Sequence, residues 1–401
     1  MSKYPVVVIS NEGKEWLDKG QRWMFRNNLV SSDSSLKTGD IAEIHSEDNT
    51  YLATGFYHET SHIVVRILSL NEDEEINSNF FERRIRSALN YRFVVERENI
   101  DNCRLIFGDG DLLPGLTVDR YNDVLSIQIT SYAMEQRKDE IYKIILDVLK
   151  ENEQEVKHIY ERNDVKTREK EGLELYKGFY GNKEFSTDLV ISENGLLLNV
   201  DIKDGQKTGY FLDQKSNRVL VRDMSKGLRV LDCFTHTGGF ALNAAKGGAS
   251  FVRAVDISYS ALDEAKKNAE LNHFENMEFV QADVFEYLDT LEQGSFDVII
   301  LDPPAFTKSR KTIKQAYYGY KRINLQAMNK LNDGGFLVTC SCSRYMETSL
   351  FEQMLKEAAK EANVLLKQVS VTQQNHDHPI LWTMEETSYL KFFIFQIIKN
   401  K

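Results

Sequence analysis

The sequence predicts an α/β protein whose C-terminal half is a Rossmann-like, doubly wound parallel sheet. From residue 228 onward, short apolar runs alternate with helical stretches, which is the pattern of parallel strands covered by helices. Two adjacent glycines, Gly238 and Gly239, lie in the turn after the first run. Four runs end at or just before an aspartate, namely Asp232, Asp256, Asp283 and Asp302. Since ligands of such sheets bind beyond the carboxyl ends of the strands, a site is expected there.

The composition is typical of a globular protein with two or three domains. The chain has 401 residues, and no stretch approaches the roughly 20 apolar residues of a membrane span. No signal-peptide pattern is present at the N-terminus. Four cysteines are too few for a disulfide framework, and their spacing does not suit zinc, so no metal is expected. We therefore expect a cytoplasmic protein with no membrane partner.

Residues 1–72 are expected to form a small β-rich domain. Its strand-like segments are Val6–Ile9, Ile41–His45, Thr50–Tyr57 and Ile63–Leu68. Arg22 and Trp23 lie in a segment that combines basic and aromatic side chains, and such a combination can stack on and hold RNA. A half-buried turn with Trp23 in the core explains the same segment equally well.

Residues 73–190 are expected to form a separate α+β domain. An acidic linker leads into a helix from about residue 77 to 98, where Phe80, Ile85 and Leu89 follow near-helical spacing. A second helix is expected near Met134–Asn152. Further strands are expected at Val124–Thr130, His158–Arg162 and Leu173–Phe179. The polar segment Asn163–Gly172 is either an ordered loop or a solvated one, and we favour the ordered loop.

Residues 191–401 are expected to form the doubly wound domain. Short apolar runs without alternation are typical of strands buried on both faces. The predicted strands are Leu196–Val200, Leu228–Leu231, Phe251–Val255, Met277–Gln281, Phe296–Leu301 and Phe336–Cys340, with two more near the C-terminus. The predicted helices are Gln214–Met224, Phe240–Lys246, Tyr259–Leu271, Ala316–Lys330 and Glu347–Ala362.

The turn after the first of these strands favours a nucleoside ligand. Its glycines do not follow the GxGxxG spacing of dinucleotide sites, so a ligand without a pyrophosphate fits better, and S-adenosylmethionine is the candidate. Asp256 suits hydrogen bonds to ribose hydroxyls, and Asp283 suits an adenine amino group. The polar run Gln206–Thr208 precedes two aromatic residues and is placed to close over the methionine end. The alternative is a glycine turn that only lets a helix pack on the sheet.

Two cysteines and an acid suggest chemistry at this edge of the sheet. Asp302 begins a rigid Asp-Pro-Pro turn, and Cys340 and Cys342 follow the next strand. A thiolate that attacks C6 of cytosine makes C5 able to accept a methyl group, while Asp302 donates to or holds N3. A cysteine that merely ends a buried strand is the commoner alternative.

A local basic segment stands out in a chain whose net charge is −11. No acid occurs between Asp302 and Asp333, and aromatic residues such as Phe306 and Tyr317–Tyr320 are interleaved with the cations. This pattern predicts an RNA-binding face, and a solvated lysine-rich helix is the alternative. The candidate RNA contacts in the segment are Lys308, Arg310, Lys311, Lys314, Lys321 and Arg322.

Taken together, these residues resemble the bacterial 23S rRNA (cytosine-C5) methyltransferases of the large-subunit methyltransferase I type. The resemblance covers nearly the whole chain, and the combination of KTGYFLDQ with DPPAF and TCSCS is its specific part. The matching motifs are the segment around Arg22-Trp23, LPGLTVDRY (Leu113–Tyr121), ERNDVKTREKEGL (Glu161–Leu173), DGQKTGYFLDQKSNR (Asp204–Arg218), FTHTGGF (Phe234–Phe240), LDPPAF (Leu301–Phe306), TCSCS (Thr339–Ser343), DHP (Asp377–Pro379) and YLK (Tyr389–Lys391).

The resemblance implies an N-terminal PUA domain, a central α+β domain and a C-terminal methyltransferase that uses S-adenosylmethionine. It makes Cys342 the nucleophile, with Asp302 beside it, and 23S rRNA or a large-subunit precursor the partner; a homodimer is left open. The implied cofactor contacts are Gln206, Lys207, Thr208, Gly209, Phe211, Phe234, Thr235, Thr237, Gly238, Gly239, Asp256, Asp283 and Asp302.

Two positions depart from the family pattern. Related enzymes carry a second cysteine, associated with release of the adduct, where this chain has Ala305. Either Cys340 or another base takes over that step, or release proceeds differently. His236 stands where the family is expected to have a tyrosine, a change we expect to be tolerated.

Two other functions fit the same sequence. An rRNA methyltransferase acting on guanine N7 needs no thiol, because N7 has a lone pair, so the need for Cys342 distinguishes it from a C5 enzyme. A non-catalytic RNA-binding or ribosome-assembly factor is the alternative from another class, and binding of labelled cofactor tests it.

Overall fold

The computed structural model describes residues 2–181, 184–307 and 309–400. Internal contacts divide the chain into two compact units, and neither unit is one continuous segment. The first unit consists of Met1–Leu189, Val200–Leu212 and His376–Thr387. The second unit consists of Val190–Asn199, Asp213–Asn375 and Ser388–Lys401.

The first unit begins with a six-stranded sheet of order β2-β6-β5-β4-β1-β3. Its elements are β1 (Val6–Ile9), α1 (Asn11–Asp18), β2 (Trp23–Phe25), β3 (Leu29–Ser32), β4 (Ile41–His45), β5 (Tyr51–Tyr57) and β6 (Ile63–Ser69). Alternate residues such as Val7, Ile9 and Ile44 form its core. The four predicted strands are confirmed to within a residue at each end. Helix α1 was not predicted, because its eight residues contain few apolar side chains.

The second part of the first unit is a five-stranded sheet of order β11-β10-β9-β8-β7 with helices packed on it. Its elements are α2 (Ser78–Val95), β7 (Asn102–Phe107), β8 (Leu116–Tyr121), β9 (Val124–Ile129), α3 (Tyr132–Glu135), α4 (Lys138–Glu151), β10 (His158–Asn163) and β11 (Tyr176–Phe179). Helix α2 begins where the Asn77 side chain accepts a hydrogen bond from the Phe80 amide at 3.2 Å. Its residues Phe80, Ile85 and Leu89 are buried, as their spacing predicts.

The loop Asn163–Gly172 is ordered, as expected from the sequence. The buried guanidinium of Arg168 donates to a Glu135 carboxylate oxygen at 2.8 Å. Glu171 accepts from the Arg66 guanidinium at 2.8 Å, and both side chains are largely buried. Polar side chains that are buried and paired in this way fix the loop to helix α3 and strand β6.

The remaining elements form a two-stranded sheet and a seven-stranded sheet. They are β12 (Asp188–Glu193), β13 (Leu196–Asp201), α5 (Lys215–Met224), β14 (Arg229–Cys233), α6 (Gly239–Lys246), β15 (Phe251–Asp256), α7 (Tyr259–Leu271), β16 (Met277–Gln281), α8 (Val284–Thr290), β17 (Val298–Leu301), α9 (Ile313–Lys330), β18 (Phe336–Ser341), α10 (Thr348–Glu361), β19 (Val364–Thr372) and β20 (Lys391–Lys399). Strands β12 and β13 pair with each other.

The second unit contains the seven-stranded sheet, of order β16-β15-β14-β17-β18-β20-β19. The first five strands in this order are parallel, and β20 is antiparallel to both of its neighbours. Successive residues such as Val230 and Leu231 pack into different cores, one shared with α5 and α6 and the other with α8, α9 and α10. Strands buried on both faces have continuous apolar runs, which is why the sequence predicts them. The predicted fold class is confirmed. No helix in the described ranges has the length and apolarity needed to cross a membrane.

Candidate functional site

The turn between β14 and α6 is built around a buried carboxylate. Asp232, near the end of β14, accepts hydrogen bonds from the Thr235 hydroxyl at 2.6 Å and from the Ala241 amide at 3.0 Å, both at Oδ2. Within the described structure its Oδ1 is buried and has no hydrogen-bond partner. Burial raises the pKa of Asp232 to about 7. The sequence identified Asp232 as a strand end but did not show that it holds the turn from inside.

The backbone of this turn lies in the left-handed region at three residues. Phe234, His236 and Gly238 have φ values of 62°, 51° and 89°. Such conformations are unfavourable for residues with a Cβ and are concentrated at functional sites. The Thr237 carbonyl accepts from the Asn268 side chain at 3.2 Å, and Gly239 is the first residue of α6. The predicted residues 234–239 therefore form one tightly held turn at the carboxyl end of β14.

Asp256 ends β15, the neighbour of β14, and each of its oxygens accepts one backbone hydrogen bond. The His236 amide donates to Oδ2 at 2.9 Å, and the Ser258 amide donates to Oδ1 at 2.9 Å. This carboxylate is half-buried. Because each carboxylate oxygen has a second lone pair, Asp256 is oriented by the backbone and can still accept from a ligand hydroxyl.

Asp283 is the N-cap of α8. Its Oδ1 accepts from the amides of Phe285 at 2.8 Å and Glu286 at 3.2 Å. No hydrogen bond to Oδ2 is present among the residues that the structure describes, so this oxygen can accept from an amino group. The turn, Asp256 and Asp283 follow three adjacent parallel strands. Glycines in the turn let its backbone come close to a ligand. Together with carboxylates at these positions, such a turn fits a nucleoside like the one in S-adenosylmethionine.

Asp302 follows β17 and is held by an amide. Nε2 of Gln214 lies 3.2 Å from each of its two carboxylate oxygens. Oε1 of Gln214 in turn accepts from the Asn217 side chain at 2.6 Å, and Asn217 accepts from the Thr372 hydroxyl at 2.7 Å. Three buried or half-buried polar side chains, Gln214 and Asn217 at the start of α5 and Thr372 at the end of β19, therefore fix the direction of the Asp302 carboxylate.

The thiols near this edge differ sharply in burial. Cys340 lies within β18 and is fully buried in the core, whereas Cys342 is half-buried just beyond the last residue of the strand. Burial raises the pKa of the Cys340 thiol well above its usual value. Leu301 of β17 is level with Thr339 of β18, so Asp302 and Cys342 follow the ends of adjacent parallel strands.

The segment that carries Cys342 is held by a tyrosine. The Tyr320 hydroxyl, on the buried side of α9, lies 3.1 Å from Oγ of Ser341 and 3.0 Å from Oγ of Ser343. The Ser343 carbonyl accepts from Nζ of Lys391 at 2.7 Å. Because Tyr320 is buried, it is not an exposed part of the RNA-binding face that the interleaved aromatic residues Tyr317–Tyr320 predict.

The predicted cofactor residues from Gln206 to Phe211 lie in the first unit. Lys207 has a φ of 55°, and its ammonium lies 4.6 Å from the centre of the Phe211 ring. A Cβ on Gly209 would come within 3.2 Å of side chains of β13 and the residue after it. The segment is therefore a compact turn with little room for larger residues, and its role in cofactor binding stays a prediction.

Thr208 links three of the family motifs inside the first unit. Its buried hydroxyl donates to the Asp119 carboxylate, which also forms a two-pronged ion pair with Arg104 at 2.7 Å. The Arg104 amide donates to Oδ2 of Asp377 at 2.9 Å. Residues of the VDRY, DGQKT and DHP motifs therefore form one buried polar network, which fixes the backbone of the turn.

Arg22 directly precedes β2 and Trp23 is the first residue of that strand, and both are half-buried in the first unit. The Trp23 indole donates to Asp109 at 2.9 Å. Nε of Arg22 is buried and has no acceptor within the described residues, and burial lowers the pKa of the guanidinium. The structure thus has features of both interpretations of this segment, and its RNA contact stays a prediction.

The basic segment before and within α9 divides into two groups. Arg310, Lys311 and Lys314 are exposed and form no ion pair with any described residue. Lys321 pairs with Glu361 at 2.9 Å, and Arg322 lies 3.6 Å from Asp289. Lys308 lies outside the described residues. Of the five candidate cations that the structure describes, only those of the first group therefore offer charge that is not already balanced by acids of the same unit.

The sequence alone did not identify two residues of this region, Gln214 and Lys391. Both belong to family motifs, DGQKTGYFLDQKSNR and YLK, but no spacing rule links either of them to Asp302 or Cys342. Membership of these motifs is the sequence signal from which Gln214 and Lys391 could have been identified. In the described part of the chain, no group of three or more His, Cys, Asp or Glu side chains is arranged to hold a metal ion.

Two family models match the chain. A model of S-adenosylmethionine-dependent methyltransferases matches residues 179–395, and a model of PUA-like domains matches residues 7–70. A solved structure from Streptococcus mutans, described as a SAM-dependent methyltransferase, superposes with a TM-score of 0.81 at 22% identity. It covers 98% of this chain and 99% of that chain, and it supports the fold.

Curated relatives match over nearly the full length. The ribosomal RNA large subunit methyltransferase I of Klebsiella pneumoniae (strain 342) is 37% identical over 402 residues, which is 99% of each chain. The protein of the same name from Serratia proteamaculans (strain 568) is 39% identical over 381 residues, or 94% of this chain and 95% of that protein. The expected cofactor and family are thereby confirmed: the chain belongs to the S-adenosylmethionine-dependent methyltransferases, in the family of the ribosomal RNA large subunit methyltransferase I proteins.

Proposed function

We propose that the chain methylates C5 of a cytosine in large-subunit ribosomal RNA and that Cys342 is the nucleophile. The name shared by the full-length relatives supports the RNA substrate. The burial of the thiols carries the chemical assignment. Cys103, Cys233 and Cys340 are fully buried, whereas Cys342 is partly accessible. Cys342 follows β18, and Asp302 follows the neighbouring strand β17. A nucleophile must reach its substrate, so only Cys342 meets that requirement.

In the proposed reaction, the Cys342 thiolate adds to C6 of the base and forms an S–C6 bond. The electron pair of the C5–C6 double bond then becomes available at C5. Asp302, held by Gln214, acts in its protonated form: it donates its proton to N3, which neutralises the negative charge that thiolate addition places on the ring, and N3 returns the proton when the thiolate leaves. S-Adenosylmethionine supplies the methyl group that C5 takes up. Loss of the C5 proton restores the double bond as the S–C6 bond breaks and the thiolate leaves.

We assign removal of the C5 proton to a group other than Cys340. The sequence left Cys340 open as a substitute for the cysteine that Ala305 replaces. Cys340 is fully buried, and burial raises the pKa of its thiol, so Cys340 is neither accessible to the base nor readily ionised. Activity should therefore survive its replacement.

Within the second unit, we propose that the turn 234–239 and the carboxylates of Asp256 and Asp283 bind the cofactor. The hydrogen bonds described above orient both carboxylates and leave lone pairs for a ribose and an adenine amino group. A ribosomal substrate makes the cytoplasm the proposed location, and the proposed partner is 23S rRNA or a large-subunit precursor.

The decisive experiment compares wild type with Cys342→Ala. Each protein is incubated with methyl-labelled S-adenosylmethionine and large-subunit rRNA that lacks the modification, and the nucleosides are identified by mass spectrometry. We expect 5-methylcytidine from wild type and a loss of about a thousandfold or more in the variant, because no other accessible thiol replaces the nucleophile.

Cys340→Ala is the matched control, since it removes a thiol from the same segment, two residues before Cys342. It should keep its activity if it folds. Label on guanine, or full activity in Cys342→Ala, would contradict the thiol mechanism and favour methylation at a nitrogen lone pair.

A further inference from the structure

A buried cation lies against the segment that carries Cys342. Lys391 is the first residue of β20, and it is paired with Ser341 of β18 across an antiparallel ladder. Its ammonium donates to the carbonyl of Ser343 at 2.7 Å and to that of Tyr389 at 2.9 Å. Ser343 directly follows Cys342 in the chain, so these hydrogen bonds hold the ammonium against the segment that carries the thiol, and the ammonium interacts electrostatically with Cys342.

Lys391 has no carboxylate partner among the described residues, although it is only 6% exposed. A buried ammonium without a counter-ion is unfavourable, and burial lowers the pKa of Lys391 to about 8, while its interaction with Cys342 opposes that shift. An amine whose pKa is one unit above the pH is still about 90% protonated. At neutral pH, therefore, Lys391 is mostly a cation whose electrostatic partner is the sulfur of Cys342.

Three other titratable groups of the described segments next to Cys342, and the exposed Arg344, supply less of this charge. Burial raises the pKa of Tyr320, on α9, to about 12, and it also raises the pKa of Cys340 on β18, so both are neutral. Asp302, after β17, opposes ionisation of a thiol. Arg344 is a cation two residues beyond Cys342, but it is exposed, and solvent screens its charge.

We propose that Lys391 is a positioning residue for Cys342: its buried ammonium fixes the Ser341–Ser343 segment and stabilises the thiolate of Cys342. The role of that thiolate in methyl transfer rests on the proposed function, whereas its stabilisation is a property of the protein alone. A buried cation stabilises a neighbouring anion strongly, because no water screens the pair. The residue thereby raises the fraction of Cys342 that is nucleophilic at neutral pH.

The test measures alkylation of Cys342 by iodoacetamide in the full-length protein, without RNA or cofactor, between pH 6 and 9.5. Peptide mass spectrometry separates Cys342 from the three buried thiols. In wild type we expect a midpoint below the ordinary thiol value of about 8.5. Lys391→Met should raise the midpoint by about one pH unit and slow alkylation at pH 7 by about tenfold, and Lys391→Arg should retain most of the wild-type rate.

Two controls isolate the charge. Lys399→Met removes another partly buried lysine of β20, whose ammonium donates to the Met328 carbonyl at 3.0 Å, and it should leave the alkylation profile unchanged. Arg344→Met removes the exposed cation and should change the midpoint much less than Lys391→Met.

An ordinary or raised midpoint in wild type would overturn the proposal, and this outcome does not depend on whether any variant folds. An equal effect of Arg344→Met would overturn it as well. The proposed function fails separately: if Cys342→Ala still methylates RNA while Lys391→Met shifts the alkylation profile, the thiol mechanism is wrong and the inference about Lys391 stands.

Discussion

Asp232 and Asp256 both end parallel strands, yet their surroundings give them different tasks. Asp232 is buried and accepts from Thr235 and Ala241 within its own turn. Asp256 is half-buried and accepts one backbone amide at each oxygen. A carboxylate that water can reach is able to bind a ligand, whereas a buried one can only hold its own turn; in the proposed site, Asp256 therefore binds the cofactor and Asp232 holds the turn. Sequence position indicates that both acids lie at the edge of the sheet, but only packing distinguishes their roles.

Burial of Asp232 predicts a pH-dependent stability that an uncharged residue lacks. Its pKa of about 7 in the folded protein lies above the unfolded value of about 3.9. Between these values the folded protein binds more protons than the unfolded chain, so this carboxyl group makes stability fall as the pH rises, until the full cost is present above pH 7. Asp232→Asn should therefore gain stability relative to wild type between pH 5.5 and 8.

Thermal unfolding of both proteins at the two pH values measures this difference. Asp223→Asn, which replaces an exposed acid of α5, is the control and should show no such change with pH. If the difference in melting temperature between Asp232→Asn and wild type is the same at pH 5.5 and pH 8, then the Asp232 carboxyl is not protonated in the folded protein.

At the level of elements, the start of α6 depends on one glycine. Gly238 has a φ of 89°, and a Cβ there would lie 3.2 Å from Cβ of Ala265 and 3.3 Å from Leu242. Gly227 has a φ of 75°, but nothing lies within 4 Å of the position of its Cβ. A side chain would therefore introduce backbone strain at both positions. The two positions differ in the space that is available for that side chain.

Gly238→Ala should lose more stability than Gly227→Ala. The left-handed conformation costs an alanine about 1–2 kcal/mol at either position, and at Gly238 the contacts with α6 and α7 add to that cost. Since the strained turn is part of the proposed cofactor site, Gly238→Ala should also bind S-adenosylhomocysteine more weakly. Chemical denaturation and titration calorimetry measure the two effects. Equal destabilisation by both substitutions, with unchanged affinity, would contradict this account.

Element boundaries were predictable where one periodicity dominated. Tyr259–Leu271 and Met277–Gln281 were predicted with the bounds that the structure has. Helix α8 was missed, because Asp283 was interpreted only as the residue after a strand, whereas it is also the N-cap of the next helix. An aspartate fits both positions, so its residue type does not distinguish them.

For the whole molecule, the fold class was predictable and the long-range pairs were not. Gln214 and Asp302 are 88 residues apart, and no pattern within either motif specifies that they meet. Likewise, Lys391 reaches the Cys342 segment only because β20 inserts antiparallel between β18 and β19. The predicted domains 1–72, 73–190 and 191–401 are continuous segments, whereas each of the two compact units consists of three separate segments of the chain. Periodicity is a local property, and such pairings depend on topology.

The balance of charge over the whole chain makes its exposed cations important. At a net charge of −11 the molecule as a whole repels phosphate, so RNA binding requires a local positive surface. Arg310, Lys311 and Lys314 are exposed and unbalanced by acids in the described structure, whereas Lys321 and Arg322 are paired. We therefore expect the first group to contact RNA phosphates and the second to stabilise the helices.

A triple variant, Arg310→Gln with Lys311→Gln and Lys314→Gln, should weaken RNA binding. It should also reduce the slope of log affinity against log salt concentration by about two, because each of the three lost phosphate contacts on a single strand contributes about 0.7. The double variant Lys321→Gln with Arg322→Gln is the control and should leave the slope unchanged, because those charges are already used by Glu361 and Asp289. Affinity for S-adenosylhomocysteine should be the same in all three proteins. An unchanged slope in the triple variant, or an equal reduction in the double variant, would show that RNA contacts a different surface.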